Sequence, residues 1–295
     1  MYKNKAYIIR AKTNIHAGSG ETNFGIIDNE VQRDTMSNLP IINSSSLKGA
    51  IRDHFNEYLS DINDTLNSAD VKPFVFATIF GDEQKGLDED DASTYKKLPK
   101  QGLVKFVDAK LLFLPLRSNI KPFYHATSLS NLKATVELLG DFGIKIEIDN
   151  IQTSKSVVIG TQKATVEDVE CEALDADISK IKALFGIQNL AILSDEDFNE
   201  ALQALPVIAR NKLNNGKSEN LWYEEVVPRE SIFYTVFCYY DNLDDSTPDS
   251  KGKTDRKKFE MAYRLFEEKL LAEQIQIGAN ASIGYGITRF SKLGE

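Results

Sequence analysis

Cysteine is nearly absent: the 295 residues hold two, Cys171 and Cys238. Two thiols can build neither a disulfide framework nor a structural zinc cluster. Histidine is scarce as well. His16, His54 and His125 show no metal-ligand spacing. Long apolar runs are missing: the longest, Leu111–Leu116, is far too short to span a bilayer. No membrane partner is expected. The first ten residues, MYKNKAYIIR, lack the apolar core of a signal peptide, so a reducing cytoplasm is the expected location. There is no Gly-x-Ser-x-Gly elbow, no His-Glu-x-x-His and no repeat of about 20–50 residues.

Positive charge is also in short supply. Lysine and arginine total 35 against 44 acids, a net charge of −9. Taken alone, that opposes non-specific nucleic-acid binding. The distribution is uneven, however. Six acids and no base fall in Glu167–Asp177, and Asp82–Asp91 is acidic too. Met1–Asn56 carries seven bases against five acids, and Lys251–Lys258 five against one. A basic groove on an acidic body is compatible with this pattern.

What is present, 42% hydrophobic and 27% charged, is an ordinary globular composition with length enough for a large core. Lys5–Lys12 predicts a first strand. Thr13–Asn43 predicts a long loop of the kind that usually carries function. A helix over Ser46–Leu59 follows, with Ser46 as N-cap and Leu47, Ile51, Phe55, Tyr58 and Leu59 on its apolar face. Leu103–Pro115 reads as a buried strand, and Thr127–Leu139 as a helix with Leu132, Val136 and Leu139 inward. Ile144–Ile148 reads as a short strand. Ser194–Leu205 reads as a helix opened by a capping box of Ser194 and Asp197. Ser231–Tyr240 reads as a strand, Asp255–Glu273 as a helix, and a glycine-rich turn feeds a last strand. The strong elements run strand, helix, strand, strand, helix, strand. The expected fold is α+β, with the βαββαβ order of a ferredoxin-like or RRM-like domain interrupted by insertions.

Four stretches can carry chemistry. In NSSSLKGAIR (Asn43–Arg52), Ser44, Ser45 and Ser46 open a helix, with Lys48 and Arg52 one turn apart. Free backbone N–H groups, hydroxyls and two cations suit a phosphate. The plain alternative is an N-cap with a solvated basic face. HAGSG (His16–Gly20) and FGIIDNEVQRD (Phe24–Asp34) share the long loop. His16 is a candidate acid or base, and Asp28 a candidate to hold a divalent ion or orient a nucleophile. Equally, Asp28 can cap a turn and His16 can be a satisfied loop residue. In ARNKLNNGKSENLWYEE (Ala209–Glu225), an Asn-Asn-Gly-Lys-Ser turn joins two extended flanks. Arg210, Lys212 and Trp222 are the candidate nucleic-acid-binding groups there, unless Trp222 merely packs a surface hairpin on the body. GANASIGYG (Gly278–Gly286) leads into a strand and is followed by no Gly-Lys-Ser/Thr, so it is neither a P-loop nor a dinucleotide loop.

In this order the stretches HAGSG, GIIDNEVQRD, LPIINSSSLKGAIR, IFGDE, VKFVDAKLLFLPLRS, LPVIARNKL, LWYEEVVP and IQIGANASIGYG resemble the RAMP superfamily of CRISPR proteins. Within it they are most similar to the backbone ribonuclease subunits of type III-B (Cmr) effector complexes, over residues 16–286. The resemblance implies an RRM-like palm (about 1–60, 103–116 and 229–295), insertions (about 61–102 and 117–206) and a protruding β-hairpin thumb (about 207–228). It implies copies stacked helically along a guide RNA, sister Cmr subunits, and cleavage of single-stranded target RNA at regular intervals beside flipped bases. The catalytic aspartate falls on Asp28, with His16 a second candidate. Ser44–Lys48 would hold guide phosphates, and Gly278, Gly284 and Gly286 would lie close to the guide backbone. The ribose 2′-OH is a built-in nucleophile. An exposed aspartate is a weak base, so Asp28 is expected to work with Mg²⁺ or Mn²⁺ bound only alongside target RNA. A structural subunit without activity, a guide-processing nuclease and the type III-A counterpart are the rival assignments.

Overall fold

The computed structural model describes residues 2–20, 25–61, 71–81, 99, 101–241 and 256–294. The acidic stretch Asp82–Asp91, the end of IFGDE, the loop following Asp241 and most of the basic run Lys251–Lys258 lie outside them. In chain order the elements are β1 (Tyr2–Ala11), β2 (Ile41–Ile42), α1 (Ser44–Asp61), α2 (Val71–Phe80), β3 (Val104–Phe106), β4 (Ala109–Leu116), β5 (Tyr124–Ser128), α3 (Leu129–Asp141), β6 (Val157–Ile159), β7 (Ala164–Val166), β8 (Val169–Leu174), α4 (Ser179–Phe185), β9 (Leu190–Leu193), α5 (Asp195–Gln203), β10 (Val207–Asn214), β11 (Lys217–Glu225), β12 (Ile232–Tyr240), α6 (Arg256–Ala272), β13 (Gln274–Gln276) and β14 (Ile287–Lys292). The fold is α+β. Among the described residues one large sheet runs β13-β14-β1-β12-β4-β5-β9-β6-β8-β7, and β10 pairs with β11 alone. The run β14-β1-β12-β4 is antiparallel throughout.

β12 shows why this sheet has two cores. Side chains alternate across a strand. Phe233, Phe237 and Tyr239 enter one core, beside α1, α2 and α6. Ile232, Tyr234, Val236 and Cys238 enter a second, beside α3 and α4. β1 divides likewise, with Tyr7 and Ile9 on one side and Ala6 and Ile8 on the other. Burial on both faces explains why β12 is apolar on both sides, with Thr235 its one polar residue, instead of alternating. Phe55, Phe80, Phe106 and Phe237 surround Phe266 of α6 with ring centroids 5.2–6.2 Å away. Among the described residues no helix is long and apolar enough to cross a membrane.

Several expectations are corrected. The stretch Leu103–Pro115 is two strands, because Val107 and Asp108 break the ladder. The break stays satisfied: Val107 N–H donates to Val236 O, and Thr235 Oγ1 donates to Val107 O. Ile144–Ile148 forms no strand; its isoleucines pack singly on the second core. Thr127 and Ser128 belong to β5, and Ser128 caps α3 by accepting from Asn131 N–H. On α3 Thr135 is buried in place of Val136, and its hydroxyl is satisfied by Asn131 O. The loop 13–43 contains β2 and isolated bridges to the thumb base. The acidic segment supplies β8, whose residues alternate between core and water. Sequence patterning missed β6–β9, α2 and α4, which are short or, like α2, mostly apolar without a polar face to mark the period. Ser194 is the N-cap as expected, its Oγ accepting from Asp197 N–H at 3.1 Å, but the reciprocal half of the box is replaced: Ser194 N–H donates to Ser156 Oγ at 2.8 Å.

Candidate RNA-contacting and cutting site

The hairpin β10–β11 turns through Asn215 and Gly216, at φ 48° and 79°. Asn-Gly suits a two-residue turn with both central φ positive. Cross-strand partners share a face. Val207, Ala209, Asn211 and Leu213 therefore lie with Glu225, Tyr223 and Leu221, whereas Ile208, Arg210 and Lys212 lie with Glu224, Trp222 and Asn220. Val207, Leu213, Leu221 and Tyr223 leave the first face apolar and exposed.

Asp28 is attached to this hairpin. Asp28 and Asn29 N–H both donate to Tyr223 O at 3.1 Å, and Glu225 N–H donates to Asn29 O at 2.9 Å. Tyr223 N–H donates back to Asp28 Oδ2 at 2.8 Å. The loop thus runs along the edge of β11 with the Asp28 side chain exposed. Asp28 is both an Asx-type partner of the backbone and a carboxylate presented to solvent.

His16 is buried, and its Nδ1 lies 2.7 Å from Glu225 O. Facing a carbonyl, Nδ1 carries a proton and donates it; the other ring nitrogen is Nε2. That nitrogen faces Gly18, where an added Cβ would lie 3.1 Å from it. His16 O accepts from Ala279 N–H at 2.8 Å. His16 therefore ties the thumb base to the terminal glycine loop. It is not brought into contact with Asp28.

The helix start differs from expectation. α1 begins at Ser44, and Leu47 N–H bonds Asn43 O, so Asn43 occupies the cap position and Ser46 lies within the first turn. Asn43 N–H donates to Gln32 Oε1 at 2.8 Å, and Ser44 N–H to Asp108 Oδ1 at 2.6 Å. Ser46 Oγ accepts from Gln32 Nε2 at 3.1 Å, and Ser45 is exposed. The positive end of the helix thus already holds a carboxylate, Asp108. Lys48 Nζ donates to Phe80 O at the C-terminus of α2, 3.0 Å away. Arg52 Nε lies 3.6 Å from Asp53 Oδ1.

On the second thumb face Glu224 is buried and gathers three donors. Arg210 Nε and Asn280 Nδ2 reach Oε2 at 2.9 and 3.0 Å, and Trp222 Nε1 reaches Oε1 at 3.1 Å. Burial works against the Glu224 charge. The Trp222 and Arg210 hydrogen bonds and the Arg210 charge outweigh it and hold the carboxyl below its usual range. Arg210 also stacks 4.6 Å over the Tyr285 ring. Lys212 is exposed and pairs with Glu219 at 3.2 Å. Of the three loop glycines, Gly278 and Gly286 (φ 91° and 74°) are needed inside the fold: a Cβ would collide with His16 O or Ile277 O. Gly284 (φ 80°) faces open space.

Gln32, Asp108, Glu224 and Glu225 were not singled out from the sequence. The adjacent glutamates of LWYEEVVP were the available signal. On a strand they must face opposite sides, so each needs its own partner.

A model of the RAMP superfamily matches residues 8–289. The Cmr endoribonuclease Cmr4 of Pyrococcus furiosus is 26% identical, over 97% of this chain and 95% of its own. The CMR subunit Cmr4 of Saccharolobus solfataricus is 25% identical, over 79% and 83%. Among solved structures, a chain of the type III-B Cmr-beta assembly in the apo state superposes with a TM-score of 0.73 at 22% identity, covering 99% and 98% of the two chains. Oligomeric Cmr4 of Pyrococcus furiosus gives 0.64 at 18%, covering 99% and 100%. With the family model spanning nearly its whole length, the chain belongs to the RAMP superfamily.

Proposed function

We propose that this chain is the backbone subunit of a type III-B CRISPR RNA-guided effector complex. It stacks with further copies of itself and sister Cmr subunits along guide RNA, and it is an endoribonuclease that cuts complementary target RNA at regular intervals. The observation that carries this is the end-to-end match to a Cmr endoribonuclease. The cytoplasm is the setting that goes with it. The antiparallel run β14-β1-β12-β4, with α1 after β1 and α6 after β12, supports a ferredoxin-like palm (about 1–60, 103–116 and 229–295). The isolated β10–β11 pair supports a thumb over about 207–228, with insertions filling the remainder.

In this account the thumb wedges between target bases and splays the backbone, bringing a 2′-OH in line with its phosphate. The Asp28 carboxylate, held by Tyr223 N–H at the thumb's edge, orients that hydroxyl for attack on phosphorus; the P–O5′ bond breaks, the hydroxyl proton passes to solvent and the 5′-oxygen takes one from it. His16, Ser44–Ser46, Lys48, Arg52, Arg210, Lys212, Trp222 and Gly284 line or brace the guide path. Lys48 acts through two remaining ammonium protons, and His16 acts from within the scaffold.

A resident metal is a poorer fit. Among the described residues no three His, Cys, Asp or Glu side chains group as ligands, and Asp28 offers one carboxylate with an oxygen already engaged. No step is derived through an ion held by this chain. Mg²⁺ or Mn²⁺ enters the proposal only as an ion carried chiefly by the RNA.

The test is cleavage of labelled complementary RNA by the assembled complex, with and without chelator. Asp28→Asn keeps the Tyr223 hydrogen bond and removes the charge. It should slow cutting by about 10²–10⁴-fold with guide and target binding intact. Cutting at the unaltered rate by this variant would make Asp28 a structural cap.

A further inference from the structure

The segment that follows Asp28 is extended, so adjacent side chains point to opposite sides. Gln32 turns toward the palm. Its Nε2 donates to Gly18 O and Ser46 Oγ, both at 3.1 Å, and its Oε1 accepts from Asn43 N–H. Arg33 turns the other way, toward the thumb. Its Nη2 lies 2.5 Å from Glu225 Oε1, and its Nη1 donates to Asn38 O. The second Glu225 oxygen accepts from Val31 N–H at 3.1 Å. Glu225 is only 3% exposed and Gln32 only 9%. A buried ion pair contributes little net stability and fixes geometry more than it stabilises. Here the pair lies where the Asp28 loop meets the thumb, and the amide lies where the same loop meets the start of α1.

We infer that Gln32 and Arg33 are positioning residues for the Asp28 cut. Gln32 sets the spacing between the cutting loop and the helix start, and Arg33, through Glu225, locks the loop to the thumb. Asp28 then cannot shift relative to either the guide-side helix or the hairpin that displaces a base. The inference rests on Asp28 being the cutting group.

The experiment is single-turnover cleavage by the assembled complex over a range of target concentrations, normalised to assembled particles. Gln32→Leu keeps volume and loses all three hydrogen bonds. Arg33→Gln removes the ion pair, and Arg33→Gln with Glu225→Gln restores a neutral hydrogen-bonded pair. Each single variant should lower the saturating rate about 100-fold, as an ångström-scale misplacement does. The half-saturating target concentration should not move, and the double variant should recover most of the rate. A purely architectural role would change the yield of assembled particles and leave the rate per particle untouched, which would overturn the inference. Where Gln32→Leu does not assemble, Gln32→Glu, which keeps the acceptor for Asn43 N–H, and Arg33→Lys take its place with the same expected split. Asp28→Asn in the same assay separates the two ideas. If it cuts normally, the Asp28 assignment falls. If it is dead while the Gln32 and Arg33 variants cut normally, the positioning inference alone falls.

Discussion

Replacing Arg210 with alanine leaves the Glu224 carboxylate in place without its cation. The side chains are 19% and 8% exposed, so solvent compensates little. Losing one partner of a buried pair costs about 3–5 kcal/mol. Here Trp222 and Asn280 still donate to Glu224, one to each oxygen, and Arg210 is partly wet. That lowers the expected loss to about 2–3 kcal/mol. Lost stacking on Tyr285 adds about 0.5–1 kcal/mol. Thermal and urea unfolding of the isolated chain should show this as a melting point lower by roughly 5–10 °C. Arg210→Met with Glu224→Gln removes both charges and keeps side-chain volume, so it should regain most of the stability. Guide binding measured over a salt series then separates two roles. If Arg210 touches phosphate, the double variant stays weak and its salt slope is lower by about one. If Arg210 acts only through the thumb, binding returns with stability. An Arg210→Ala chain that melts with the unaltered protein would refute the energetic argument, and with it the idea that Glu224 needs this cation.

Two further expectations follow from the same structure. His125 is buried beside Arg10, and burial first, then the Arg10 charge, depresses it from 6.5 to about 4. The unfolded chain binds that proton first, so the full stability holds above pH 6.5 and falls between pH 6.5 and 4 by about 3 kcal/mol. His125→Phe should flatten that part of a stability-against-pH curve, and an unchanged curve would assign the acid loss to other groups. Gly278→Ala should destabilise by well over the 1–2 kcal/mol of left-handed strain, because its Cβ also meets His16 O, whereas Gly284→Ala should show the strain alone. Equal melting points for the two would contradict the packing described at Gly278.

Much of this architecture was legible from local pattern. β12, α6 and the Asn-Gly hairpin each carry a strong periodic or turn signal, and they fall close to where that signal puts them. The break after Phe106 was illegible because a long-range demand causes it: Asp108 leaves the ladder to meet Ser44 N–H, 64 positions away. The same contact lies at the start of α1, where Asp108, from the break between β3 and β4, accepts from Ser44 N–H next to the Asn43 cap. At the site, the residue types were readable and their partners were not. Lys48 and Arg210 look like free cations in a string of letters, yet Lys48 meets a helix C-terminus and Arg210 a buried glutamate. Nothing in one-dimensional spacing shows that Asp28 lies against Tyr223, 195 positions on.

The doubly covered sheet has a consequence for information. An RRM reads bases by stacking them on an open sheet face. Here both faces of β1 and β12 are spent on the two cores. On the proposed function, RNA meets the thumb, which parts bases by wedging, and the rim of the domain, where the partners are backbone amides, hydroxyls, cations and a glycine turn. Such groups hold phosphate and sugar, which are the same in every nucleotide. Neither face of β1 or β12 is open to prefer one spacer over another. Identity is left to base pairing between guide and target, so a single protein sequence can serve any guide presented to it.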